Sequence, residues 1–137
     1  MADVAAYVLD TFAWMAYARA EPGGETVREL VRQAEAGQVE LHMTAVNVAE
    51  AFYGTWRRAG PRMARRVVDD LPLLGVAIHD ADLALSLRAG ALKAQYPLAL
   101  GDCYAAALAQ QLDATLVTGD PEFRQLHGVV KIEWLGP

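Results

Sequence analysis

Apolar residues along this chain fall into two alternating patterns. Tyr7-Val8-Leu9 and the β-branched Ala114 to Thr118 are short apolar runs, the latter reading as a buried strand, and Val39 to Met43, Val76 to Ile78 and Val129 to Leu135 read as three further strands. Between them, apolar positions recur every three or four residues, which predicts helices. The helical sets are Phe12, Ala13, Met15, Ala16 and Tyr17; Val27, Leu30, Val31 and Ala34; and Val46, Ala49, Phe52, Tyr53 and Trp56. Two more follow at Leu83, Leu85, Leu87, Ala91 and Leu92, and at Ala105, Ala106, Ala109 and Leu112.

The punctuation agrees. Pro22-Gly23 stops the first helix, Gly37 suits a left-handed cap after the second, and Thr44 is a natural N-cap for the third. Pro61 opens a helix after the Gly60 break, Asp80 is expected to cap the next, and Pro97 ends it. Glu122, Phe123 and Leu126 read as a short helix closed by His127-Gly128. Strands alternating with helices predict an α/β, doubly wound domain: a five-stranded parallel sheet with helices on both faces, one domain over residues 1–137.

A chain of 137 residues, 54% of them hydrophobic, is long enough for one proper core. Its single cysteine, Cys103, excludes an internal disulfide and a cysteine-rich zinc site, and reads as a small packed residue of a reducing compartment. Histidines 42, 79 and 127 are scattered without zinc-ligand spacing. The start lacks a basic leader and no apolar run is long enough to span a membrane, so a cytoplasmic location is expected. A net charge of -5 argues against global polyanion binding, yet Arg57, Arg58, Arg62, Arg65 and Arg66 hold five of the twelve cationic side chains. That cluster is either a solvated face or a contact surface for phosphate or a partner.

The chemistry lies in the acids. Asp10 ends an almost wholly apolar first strand, where burial without a partner is costly; it faces a polar crevice or an ion, or is an exposed strand-end acid. Glu50 is four residues after Val46 and three before Tyr53, on or beside an apolar stripe, so it snorkels to the rim, finds an arginine, or enters a crevice. Asp102 heads an alanine-rich helix and Asp120 follows a buried strand. Singly, these two read as a first-turn acid and a turn residue. If the first and fourth strands are neighbours, all four acids face one crevice beyond the strand ends.

Together the segments YVLDTF, TAVNVAEAFYG and GDCYAAALAQQLDATLVTGDPEF resemble the PIN-domain ribonucleases, and most closely the toxins of VapBC toxin-antitoxin modules. The resemblance spans essentially the whole chain and is strongest in the last segment; residues 60 to 97 share only helical character. It implies that Asp10, Glu50, Asp102 and Asp120 form an acidic quartet holding Mg²⁺ or Mn²⁺, with Thr11 and Thr118 assisting. It further implies an RNA substrate, a homodimer, and a small antitoxin lying across helices near the site, where Trp14, Tyr17, Phe52 and Trp56 are candidates to line a groove. Phe12 departs from the small residue frequent after Asp-Thr, and Glu122 stands where an aspartate is common.

The residue types fit that chemistry. Two carboxylates about 5 Å apart at an effective dielectric of about 20 repel by roughly 3 kcal/mol, so several converging acids call for a cation. The rivals are a PIN-type domain that binds RNA or protein without catalysis, and a phosphate-receiver signalling domain. The latter fits poorly, because Asp3 is isolated and Lys131 lies inside the last strand.

Overall fold

A computed structural model describes residues 4–136. In chain order its elements are β1 (Ala5–Leu9), α1 (Thr11–Ala18), α2 (Gly24–Glu35), β2 (Val39–Thr44), α3 (Ala45–Ala59), α4 (Pro61–Leu73) and β3 (Val76–His79). Then come α5 (Leu83–Gln95), α6 (Leu100–Leu112), β4 (Thr115–Thr118), a short 3₁₀ helix (Pro121–Leu126) and β5 (Lys131–Trp134). The five strands are all parallel in the order β3-β2-β1-β4-β5. The chain therefore builds outward from β1 through β2 to β3, crosses back, and adds β4 and β5 on the other side. The reversal in strand order falls between β1 and β4, where a parallel sheet opens a crevice beyond its carboxyl ends.

Alternating residues of β1 explain why both faces carry helices. Leu9 packs with Trp14, Val27, Leu30, Leu41, Met43, Val67 and Leu71 beneath α1 to α4. Val8 packs on the opposite face with Leu85, Leu92, Leu98, Leu108, Leu116 and Phe123 beneath α5 and α6. A strand buried on both sides needs no polar alternation, which is why the central strands β1 and β4 read as apolar runs.

Three local expectations change. The cap of α5 is Asp82, whose carboxylate accepts the Leu85 N–H at 2.9 Å, rather than Asp80. The chain stays non-helical through Ala81, so only the second acid reaches the first turn. On α5 the buried stripe is Leu85, Ala89 and Leu92, while Leu83 and Leu87 are exposed. Trp14, expected at a surface groove, is buried; its indole N–H donates to the Val67 carbonyl at 3.2 Å, tying α1 to α4. Among the described residues no helix is long and apolar enough to cross a membrane.

Candidate active site

Asp10 leaves β1 at the switch point and is 2% exposed. Its Oδ1 accepts the Ala13 N–H at 2.7 Å, capping α1, and its Oδ2 accepts the Thr118 hydroxyl from the end of β4. Thr118 in turn accepts the Asp120 N–H at 3.0 Å, so one hydroxyl joins β1 to the loop that carries the next acid. Asp120 caps the 3₁₀ helix through the Glu122 N–H at 3.0 Å. The turn role expected for Asp120 is real, and the cap it adds, together with the Thr118 bond, holds it near Asp10.

Glu50 arrives from α3. Thr44 caps that helix, accepting the Asn47 N–H at 3.0 Å while its own hydroxyl donates to Asn47 Oδ1 at 2.6 Å. The Asn47 side-chain NH₂ donates to Glu50 Oε1 at 3.0 Å and to the Gly101 carbonyl at 3.1 Å. The Thr11 hydroxyl donates to the same Glu50 oxygen at 2.7 Å. Of the fates open to Glu50, entry into the crevice is the one observed. Its carboxylate lies where a Cβ on Gly101 would stand, at the start of α6, where the helix dipole favours an anion. A Gly101→Ala variant is expected to push Glu50 off its Thr11 and Asn47 bonds. Loss of the Glu50 hydrogen bonds in a crystal structure, with a stability drop of about 1 to 3 kcal/mol, would show it.

Asp102 sits in the first turn of α6, partly buried, with no hydrogen-bond partner among the described residues. Burial raises its pKa to about 6, reinforced by the charges of Asp120, Glu50 and then Glu122. Asp10 is raised further, to about 7: desolvation outweighs the hydrogen bonds from Thr118 and Ala13, and the charges of Asp102 and Asp120 add to it. Four elements thus deliver carboxylates that feel one another. Glu122, which stands where an aspartate is common, is exposed but near enough to act on Asp102.

The donor set is all carboxylate oxygen, which suits a hard divalent cation. Glu50 Oε2, Asp120 Oδ2 and both Asp102 oxygens accept no hydrogen bond among the described residues and are free to take one up. Among those residues no three His, Cys, Asp or Glu side chains already form a closed ligand group; the acids gather at electrostatic range, each oriented by its local hydrogen bonds.

Phe12 has a structural counterpart. Its ring lies where a Cβ on Gly119 would stand, so the bulky residue after Asp-Thr pairs with the glycine of Thr-Gly-Asp. Asn47 is the residue the sequence reading missed. It is 1% exposed and joins Thr44, Thr11, Glu50 and α6, and its spacing, three residues after a capping threonine and three before the acid, is the signal that pointed to it. Asn47→Ala is expected to destabilise the fold by about 2 to 3 kcal/mol in chemical denaturation, because it strips partners from several buried groups.

The five arginines are all exposed on α3 and α4. Arg65 pairs with Asp69 at 3.0 Å, and the Arg57 guanidinium lies 4.9 Å from the centre of the Tyr53 ring. His42 and His79, kept out of the site, face each other at 2.8 Å on the β2–β3 ladder, where burial and then the His42 charge lower the pKa of His79.

An α/β sheet that gathers acids at its strand-order reversal places a ligand-binding crevice beyond its carboxyl edge. Residues 7–129 match the family model of the PIN domain, and the chain belongs to that family. No curated protein matches at the level of sequence. Among solved structures, VapBC2 from Rickettsia felis bound to a DNA fragment from its promoter is similar at 20% identity, covering 96% of this chain and 99% of that one, with a TM-score of 0.74. DNA-bound VapBC from Salmonella typhimurium is similar at 19% identity, over 97% and 100% of the two chains, with a TM-score of 0.74. VapC20 from Mycobacterium tuberculosis, a sarcin-ricin loop cleaving toxin, is similar at 14% identity, over 87% and 93%, with a TM-score of 0.69. These likenesses establish the fold.

Proposed function

We propose that this PIN domain is a divalent-metal-dependent endoribonuclease, the toxin component of a type II toxin-antitoxin pair. The observation that carries the reading is the electrostatic coupling of Asp10, Asp102 and Asp120 with Glu50, acids delivered by separate elements to one crevice. Asp10, Asp102 and Asp120 would hold Mg²⁺ or Mn²⁺, with Glu50 beside them. A bound ion supplies Lewis acidity toward phosphate and makes water a better nucleophile near neutral pH.

The chain's own residues do the rest. Glu50, pinned through Oε1 by Thr11 and Asn47, keeps Oε2 free to orient and accept a proton from the attacking water. Thr118 fixes the Asp10 carboxylate against β4, and the cap on the 3₁₀ helix fixes Asp120. Water adds to phosphorus in line as the opposite P–O bond breaks, with the RNA strand crossing the carboxyl edge of the sheet.

The partner expectations follow from the similar assemblies, which are VapBC complexes. A small antitoxin would dock on α3 and α4, where Tyr53, Trp56 and Met63 are 49%, 50% and 45% exposed and Arg57, Arg58, Arg62, Arg65 and Arg66 surround them. Homodimerisation and a cytoplasmic site of action belong to the same reading. Incubation of total RNA with the protein in Mg²⁺, Mn²⁺ or chelator, with mapping of the new ends, tests it. Discrete ends that vanish with chelator are expected, and RNA left whole in both metals overturns the reading.

A further inference from the structure

A groove of about 1270 Å³ follows β5 and the 3₁₀ helix, from Ala109 and Asp113 at the end of α6 to Gly119 and Pro121 beside the acids. Its charge is opposite to that of the site. Arg124 and Lys131 are exposed along it, and Asp113 is the only acid among its described lining residues. Lys131 meets the Asp113 carboxylate at 3.2 Å, but both side chains are largely solvated, so that pair is weak and a phosphate can compete for the lysine. Arg124 makes no ion pair among the described residues.

An aromatic side chain stands where the groove meets the catalytic row. Trp134 is 42% exposed and pairs with Thr118 across the β4–β5 ladder. Thr118 donates to Asp10, and Leu9 is in register with Val117, so Asp10, Thr118 and Trp134 occupy one cross-strand row. Two strand spacings, about 10 Å, separate the indole's strand from that of Asp10. On the other side of Gly119 the Phe12 ring is 46% exposed.

We propose that this groove is the track for single-stranded RNA on one side of the cut phosphodiester, with backbone phosphates on Arg124 and Lys131 and a base stacked on Trp134. The proposal rests on the RNA-cleaving reading and supplies what the acids cannot, an attraction for a polyanion in a protein of net charge -5. Unpaired bases are specified because only they present a free face to an aromatic ring.

The test uses a fluorescent twelve-nucleotide single-stranded RNA of mixed sequence, titrated in Mg²⁺ against the full chain carrying Asp102→Asn to stop turnover. Adding Trp134→Ala is expected to weaken binding about tenfold, with Trp134→Phe restoring most of it. Adding Arg124→Gln, at an exposed site that leaves the fold intact, is expected to lower the slope of log affinity against log salt by about 0.7. In the cleaving protein the same changes should raise KM with little change in kcat. Unaltered affinity, slope and KM in these variants, or no RNA binding at all, overturns the groove. So does a Trp134→Ala effect confined to self-association. Binding that depends on Trp134 in a protein that never cuts RNA supports the groove and sinks the nuclease reading instead.

Discussion

Asp102→Asn is expected to reduce RNA cleavage on the order of a thousandfold while leaving the circular dichroism spectrum of the protein unchanged. The expectation follows from what Asp102 does not do. It caps nothing and accepts no hydrogen bond among the described residues, so an isosteric amide removes charge without removing a structural contact. Burial together with three neighbouring acids holds its pKa near 6, a cost that a bound cation would offset. Asp10→Asn should abolish cleavage equally, although Asp10 also caps α1 and receives Thr118, tasks that an amide oxygen partly retains. Undiminished cleavage by either variant, measured on the same RNA with end mapping, would remove the proposed chemistry. Isothermal titration with Mn²⁺ provides an independent readout, since heat of binding should be lost together with activity.

The second large effect is on stability. In the folded chain Asp10 holds its proton up to a pH of about 7, against an ordinary value of 3.8. A carboxyl raised on folding stabilises the native state fully below its unfolded pKa, and that contribution disappears as pH climbs through the folded value. At one unit per 1.36 kcal/mol, the loss between pH 4 and pH 8 is on the order of 4 kcal/mol for this nearly fully buried group. Asp102 adds to it in the same direction, discounted because it is only partly buried. In chelator, Asp10→Asn is therefore expected to be more stable than the parent at pH 8, with the difference shrinking toward pH 4.5. Mn²⁺ should raise the Tm of the parent and leave the variant nearly unmoved. Thermal scans across that pH range decide the matter; a parent protein that gains on the variant as pH rises would show that Asp10 is not held protonated by burial.

The two results separate activity from folding in a useful way. A site that stores repulsion among acids is one where neutralisation stabilises the protein and disables it together. Gly101 and Gly119 belong to the same economy of space. The first lets Glu50 lie against the start of α6, and the second makes room for the Phe12 ring.

Much of this was legible along the chain. The order of strands and helices, the Thr44 cap, the Pro61 helix start and the placing of Asp10, Asp102 and Asp120 at element ends all follow from short-range rules: side-chain period, cap chemistry and turn residues. Those rules act over a few residues, so a linear reading captures them. They also fail locally where two candidates satisfy one rule, as with Asp80 and Asp82.

Tertiary structure alone decided the rest. That β1 lies between β2 and β4, bringing Asp10 to Thr118, depends on how crossovers return to the sheet. The burial of Trp14 depends on α4 arriving over α1, and the role of Asn47 on α6 meeting α3. The groove along β5 exists because an edge strand has no neighbour on one side. Periodicity specifies which face of an element seeks cover; only the packed chain specifies which element covers it, because that choice is made by the total burial and hydrogen bonding of distant segments together.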